Sequence, residues 1–491
     1  MPKTEKVQSR NNVGDGVLPT PFANPLFSYV FDSELGTEKL QDMYQRTGAP
    51  LHSAYALAQL RVLYGDPAHK DLCQKITMWK TLSSVCLARW RGVPFAAVSW
   101  SEASWTGLLN LATRTWDQEI LTTLLPPPCR SSLPPLADFG NCHTTLTGTG
   151  IGQFAGLGMS TNPYYQRWPL LRGSKTASSS SSMSSSSQNN NNNNNNSDVE
   201  EEFCRFFLGV GDGACANIGS KCTTTHRIAV TIGTSAAARI VLPSSDDAPP
   251  RVPPGLFCYR IDQSHLLLGG ALTDGGSVVE WARRFLRLTS DQALESCLQE
   301  AERLLRSEYA ATAFQDLQHQ ETNNHNDGGG VSAVTVVPFL SGERSTGFRT
   351  GATLTAIGLT RDTSPAHFLK ACLEGVVLRL GAIVELLLRD DDDAELLVSG
   401  AALERNALWR QMLADCTGCT VRYDSSIQEA TSRGMAILMA SSLGPQANSL
   451  KEEPLGQCIT HVPRDDCKSY WLNLRKRQES LISAAEPIWQ S

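Results

Sequence analysis

The chain has no apolar run approaching the roughly eighteen residues that a membrane span requires. Its first residues, Met1-Pro2-Lys3-Thr4-Glu5-Lys6, are polar and lack the apolar region of a secretory signal. These two absences predict a cytoplasmic protein with no membrane partner. Positive charge is also scarce: 43 Lys and Arg stand against 49 Asp and Glu, for a net charge of −6. Phosphate-rich partners need basic patches, so a nucleic-acid role is not expected. The one basic cluster, Arg475-Lys476-Arg477, reads as the solvated face of a C-terminal helix. The 14 cysteines show no disulfide-scaffold spacing, and Cys86, Cys215 and Cys372 sit among apolar or small residues, as buried reduced thiols do. The lone Cys416-Thr417-Gly418-Cys419 lacks the two further ligands zinc needs. It reads as a helix end, a glycine cap and the start of a strand.

What remains is an ordinary folding composition. A length of 491 residues with 41% apolar and 19% charged content gives a prior of two or three domains. Residues 174–202 carry a serine tract, an asparagine tract and an acidic run, which cannot bury enough apolar area to offset ordering. They read as a disordered insert whose two ends lie close together on the surface. Gln315 to Gly330 reads as a polar loop with solvated His319 and His325, and Asp390 to Asp393 as a solvated turn. Leu57–Tyr64 and Leu108–Thr123 read as helices. From Ile228 the pattern alternates: strands at Ile228–Ile232, Leu256–Ile261, Leu396–Val398 and Thr420–Tyr423; helices at Ser277–Leu288, Ala366–Leu388, Asn406–Cys416 and Ala430–Leu443. Such alternation implies α/β layers. Gly148-Thr149-Gly150-Ile151-Gly152 is spaced like a dinucleotide loop but lacks a preceding buried strand and the later acidic residue, so it is set aside.

Chemistry concentrates in Gly209-Val210-Gly211-Asp212-Gly213-Ala214-Cys215-Ala216-Asn217-Ile218-Gly219. An acidic residue among glycines can stand where backbone and ligand approach closely. The following Ile228-Ala229-Val230-Thr231-Ile232-Gly233-Thr234-Ser235 reads as a buried strand that delivers N–H groups and hydroxyls to an anion. A carboxylate able to accept a hydroxyl proton, near a turn able to hold phosphate, suggests phosphoryl transfer to an alcohol.

These strings resemble the FGGY carbohydrate kinases, most of all gluconokinase-type members, and the resemblance runs from about Leu18 to Leu443, less the insert. Further matching segments are Arg46-Thr47-Gly48, Ala103-Ser104-Trp105-Thr106-Gly107-Leu108, Gly269-Gly270-Ala271-Leu272 with Asp274-Gly275-Gly276, and Gly342-Glu343-Arg344. Val398-Ser399-Gly400-Ala401-Ala402 and Glu429-Ala430-Thr431-Ser432-Arg433-Gly434 match as well. The resemblance implies a two-domain, actin-like (ribonuclease H-like) α/β fold. It implies ATP and Mg²⁺, Asp212 as general base, and Gly233, Thr234, Ser235 and Gly276 at the phosphates. Gly400, Ala401 and Asn406 would line adenosine, and Trp100, Asp212 and Arg344 the sugar. Glu374 would be structural. Ala401 departs from the family, which usually has glycine there, and its methyl is expected to crowd the nucleotide. Gly269–Leu272 is expected to belong to a glycine-rich turn.

The resemblance also implies an N-terminal Asp-x-Gly-Thr loop, which is not found in this sequence; the first domain is expected to be N-terminally incomplete. The division expected is a polar tail at 1–17, a substrate domain at 18–225 with the insert, a nucleotide domain at 226–445 and a tail with a helix at 446–491. Two readings follow. One is a kinase for gluconate, with xylulose or ribulose as other acceptors. The other is a catalytically impaired or inactive truncated homologue that binds nucleotide or a partner. An exon missing from the gene model would also account for the absent loop. A homodimer is left open.

Overall fold

The buried run Ile228–Val230 anchors a seven-stranded mixed sheet in the second half of the chain. In spatial order its strands are Ile459–His461, Thr420–Tyr423, Glu395–Ser399, Arg227–Ile232, Ala236–Pro243, His265–Leu272 and Phe257–Arg260. Glu395–Ser399 runs parallel to both neighbours, and the remaining pairs are antiparallel. Strands buried on both faces read as continuous apolar runs rather than alternations, as Ile228–Ile232 and Leu396–Val398 do; Ala236–Pro243, His265–Leu272 and Ile459–His461 are strands beyond those expected. The computed structural model describes residues 37–50, 52, 54–91, 93–140, 143–144, 205–244, 251–322, 334–388, 394–443, 450 and 453–490. The N-terminal tail, the Gly148–Gly152 run, the 174–202 insert, His325 and Asp390–Asp393 lie outside these residues.

The central helix Pro365–Leu387 packs against this sheet and is buried along almost its whole length. Ser364 starts it: the hydroxyl accepts from the His367 N–H, and the His367 side chain returns to the Ser364 N–H. Lys370 and Glu374 on this helix form a buried knot with Glu308 and Tyr470. Lys370 Nζ lies 2.9 Å from Glu374 and 2.7 Å from Glu308, and the Tyr470 hydroxyl donates to Glu374. This agrees with a structural Glu374. The C-terminal helix Lys468–Trp489 belongs to the same core through Tyr470, Trp471 and Leu474.

The described part of the first half is mainly helical, with one two-stranded parallel pair, Val98–Ser99 and Leu136–Ala137. It docks on the edge strand Phe257–Arg260. There the Cys258 N–H donates to the Gly48 carbonyl at 2.8 Å, and the Arg260 N–H donates to the Ser104 hydroxyl at 2.9 Å. The helices Asp212–Gly219 and Ala430–Leu443 cross backbone to backbone, because Gly219 and Gly434 leave no side chain between them.

Three expectations change. Leu108–Thr123 is not one helix: the helix spans Gln118–Leu124, capped by the Asp117 carboxylate, which accepts from the Ile120 N–H. Upstream, Asn110 accepts from the Ala112 and Thr113 N–H groups, closing a turn that the backbone of a helix cannot share. Gln315–Thr322 is helical, the end of Asp291–Thr322; Gln and Glu favour helix, so polarity there did not mean loop. Gly269–Leu272 is strand rather than turn, and the turn that follows is Thr273–Gly275.

Candidate active site

The strand Arg227–Ile232 ends at a turn whose geometry is fixed by its own backbone. The Gly233 N–H donates to the Ser235 carbonyl at 2.9 Å, and the side chains of Thr234 and Ser235 are left exposed. Against it lies the start of the helix Gly276–Phe285. Gly275 and Gly276 donate to the carbonyls of Thr234 and Gly233, both at 2.8 Å. Gly276 is required by close approach: a Cβ there would stand 2.6 Å from the Gly233 carbonyl oxygen. The same Cβ position is 3.4 Å from Ala402, so the third glycine-rich segment meets the first two. Gly400 turns the chain there with φ +95, a conformation that disfavours any other residue. The Thr231 and Ser399 hydroxyls, 2.9 Å apart, join the two strand ends. Ala401 is exposed at the start of Ala401–Arg405. The carbonyl of the Asn406 side chain accepts from the Trp409 N–H at 3.0 Å, so Asn406 caps the helix Ala407–Thr417 as well as bordering this region. The N–H groups of Gly275, Gly276 and Ser277 are thus taken by carbonyls of the turn, and the exposed Thr234 and Ser235 side chains are the groups that could meet an anion.

Asp274 ties this region to the Gly342-Glu343-Arg344 loop. One carboxylate oxygen accepts from the Ser277 hydroxyl at 3.0 Å and the other from the Ser341 N–H at 2.8 Å. Ser345 is pinned to the adjacent strand, its N–H donating to the Ala271 carbonyl at 3.0 Å.

Asp212 is exposed at the first position of its helix, and its carboxylate accepts from the Gly213 N–H at 2.7 Å. Two residues that sequence reading did not single out flank it. Arg239, on the strand Ala236–Pro243, crosses the helix start, so that a Cβ on Gly213 would lie 3.2 Å from its Nε. Trp105 covers Gly211, where a Cβ would be 2.6 Å from the indole, and the ring is 41% exposed. Trp100, the aromatic expected here, instead faces Arg114 and packs with Val98, Leu109 and Leu136. The signal for Arg239 was a charged residue inside the apolar run Ala236–Leu242.

The electrostatics of the group follow from burial. Arg239 is pulled below the ordinary arginine range by burial; Asp212 opposes the shift and the Arg344 guanidinium adds to it. Arg344 also acts on His52, whose pKa is lowered by burial first and by this guanidinium second. The Tyr55 and Tyr259 hydroxyls, 2.6 Å apart, feel Arg344 as well, and burial keeps both protonated. Burial and then the Asp212 charge push the Cys215 thiol up to about 11, so it stays protonated. Thus Asp212, Arg239 and Arg344 fall in one neighbourhood, and Gly233, Thr234, Gly276, Gly400 and Ala402 in another along the same sheet end. A cavity of about 250 Å³ between Leu60, Trp79, Trp116 and Leu133 shares no residue with either. Among the described residues no helix is long and apolar enough to cross a membrane.

Residues 228–443 match the model of the FGGY family of carbohydrate kinases, C-terminal domain. A gluconokinase of Bacillus licheniformis is 24% identical over 452 residues, covering 91% of this chain and 74% of the relative. Gluconate kinase from Lactobacillus acidophilus superposes with a TM-score of 0.68 at 19% identity, over 94% of this chain and 78% of that one. The ligand-bound xylulose kinase of the same organism also gives 0.68, at 20% identity, over 93% and 78%. The fold shared with these structures is the two-domain actin-like ATPase fold. Nothing in these matches supports a homologue that binds nucleotide without turnover.

Proposed function

We propose that the chain is a carbohydrate kinase of the FGGY family, a phosphotransferase that uses ATP and an alcohol acceptor, and that its acceptor is a sugar acid, gluconate ahead of xylulose or ribulose. One observation carries the choice. Arg239 and Arg344 stand in the same neighbourhood as Asp212, and their charges oppose each other in a setting where burial already penalises Arg239. A carboxylate bound beside them offsets that cost through charge-assisted hydrogen bonds. A neutral ketose offers no such compensation. The name of the Bacillus licheniformis relative agrees with this reading.

In the mechanism, the Asp212 carboxylate accepts the proton of the acceptor hydroxyl as its oxygen bonds to the γ-phosphorus and the bond to ADP breaks. The Thr234 and Ser235 hydroxyls hold the phosphates, on a turn braced by the start of Gly276–Phe285. Gly400 and Ala401 border adenosine, and Asn406 fixes the helix behind them. Trp105 supplies an exposed face against which the sugar chain lies. Mg²⁺, when bound, neutralises charge on the phosphates. Among the described residues no group of three or more His, Cys, Asp or Glu could hold a metal.

The test is ADP release over a panel of sugar acids, ketoses and polyols, with Asp212→Asn as control. Gluconate is expected to give the highest kcat/KM, and the variant to lose on the order of 10²–10⁴-fold. Faster turnover of xylulose or ribulose would overturn the substrate choice, and an unimpaired variant the role of Asp212.

A further inference from the structure

The C-terminal helix reaches the substrate loop through a chain of ion pairs that the chemistry above does not use. Near its end, Glu486 accepts from Arg349 at two points, Nε at 2.8 Å and Nη2 at 3.4 Å. Arg349 Nη1 in turn donates to Glu343 at 2.5 Å. Glu343 is buried, and its second oxygen accepts from Arg379 of the central helix at 2.8 Å. Arg379 also donates to the Thr346 hydroxyl at 2.9 Å. The loop backbone follows the same residues: the Glu343 N–H donates to the Arg349 carbonyl at 2.9 Å, and the Phe348 N–H to the Arg344 carbonyl at 2.7 Å. Apolar packing reinforces the contact, with Trp489 edge-on to Phe339 at 5.8 Å and Leu481 and Ile482 against Val337 and Ala352. Glu343 is thus held by two guanidiniums, one of which is oriented by Glu486. Arg344 is the next residue, between this lock and the pinned Ser345.

We propose that Glu486 is a positioning residue for the sugar site, acting through Arg349 and Glu343 to set where Arg344 stands. A bidentate carboxylate fixes the plane of a guanidinium, which a single contact does not. Without Glu486, Arg349 can follow either oxygen of Glu343, and the 343–349 loop gains freedom at the point where Arg344 enters the site. The contacts from Glu486 through Arg349 and Glu343 do not include Gly233–Ser235 or Gly400–Ala402, and the loop's tie to Asp274 is made by Ser341, ahead of Glu343, so the larger effect falls on the sugar.

The experiment uses the full chain and whichever acceptor of the panel is turned over best, so it does not depend on gluconate being that acceptor. Glu486→Gln keeps size and removes charge. It is expected to raise the acceptor KM on the order of 10-fold, with the KM for ATP within about twofold. A cycle with Arg344→Ala separates positioning from a general loss of structure. If Glu486 acts through Arg344, adding Glu486→Gln to Arg344→Ala changes the acceptor KM less than about twofold; independent, multiplying effects overturn the proposal. Should Glu486→Gln fail to fold, Arg349→Lys, which keeps the charge and loses the fork, gives the same split. Limited trypsin digestion supplies a readout free of turnover: the variant is cut after Arg344 or Arg349 sooner than the wild type. Unchanged digestion together with unchanged KM overturns the proposal.

Discussion

Arg239 lies across Gly213, its Nε 3.2 Å from where a side chain on that glycine would begin, and so reaches the residue next to Asp212 from the strand Ala236–Pro243, 26 residues further along the chain. The relationship explains why a small residue follows the aspartate on this side, and under the proposed function Arg239 is the group that would tell an acid from a neutral sugar. Arg239→Gln is expected to raise the KM for gluconate on the order of 10–100-fold, as for removal of a charge-assisted partner. The KM for a ketose should move little. Steady-state ADP-release assays on both acceptors check this; an equal loss on both would remove the discrimination from Arg239.

A methyl at Gly276 meets the Gly233 carbonyl at 2.6 Å. Gly276→Ala is therefore expected to push the two phosphate segments apart. Overpacking of this kind costs about 1–3 kcal/mol, equivalent to roughly a 5–150-fold weaker interaction if expressed in nucleotide affinity. Calorimetric titration with an ATP analogue should show the loss, while titration with the acceptor sugar should not.

His52 gives the site a pH signature. Its Nδ1 accepts from the Ala54 N–H at 3.1 Å, a bond that the neutral ring alone can make. Burial, and after it Arg344, lowers its pKa in the folded protein. The unfolded chain then binds more protons below the ordinary histidine value of about 6.5. Stability from neutral His52 is present above that pH and is lost as pH falls toward the folded value. His52→Asn is expected to flatten the fall of Tm between about pH 7 and pH 5, and thermal melts across that range measure it.

Lys370 is fully buried and paired with Glu374 and Glu308. Burial raises the Glu374 pKa, and the Lys370 charge opposes that rise. Lys370→Met leaves a buried carboxylate without its cation, a change that costs about 3–5 kcal/mol in comparable pairs. Urea unfolding should show a lower midpoint with little change in slope.

How much of this was legible beforehand divides along physical lines. The strand at Ile228 and the helix at Ala366 are long, apolar and buried on all sides, and they end within a residue or two of expectation. Gly276 and Gly400 carry a constraint written in residue type, because backbone meets backbone there, whereas a Cβ on Gly233 would meet only the Ser235 carbonyl oxygen at 4.0 Å. Arg239 breaks the apolar run Ala236–Leu242, but its partner lies on another element, so the sequence does not show what that charge faces. Trp100 and Trp105 lie on one short segment, and no local mark in the sequence tells that Trp105 is the ring that covers Gly211. Leu108–Thr123 has apolar spacing suited to a helix, yet the side chains of Asn110 and Asp117 redirect the backbone. Such side-chain competition is local, but periodicity averages over it. The link from Glu486 to Glu343 spans more than a hundred residues and left no pattern in the sequence.

The contact of Gly48 and Ser104 with the strand Phe257–Arg260 has a consequence for solubility. This strand borders the seven-stranded sheet, and its outward N–H groups at Cys258 and Arg260 are taken by a carbonyl and a hydroxyl from the first half of the chain. An uncovered border of this kind recruits strands from other molecules. The first half thus protects the second from self-association. A fragment beginning near residue 226 would present an open edge ready to pair with its copies.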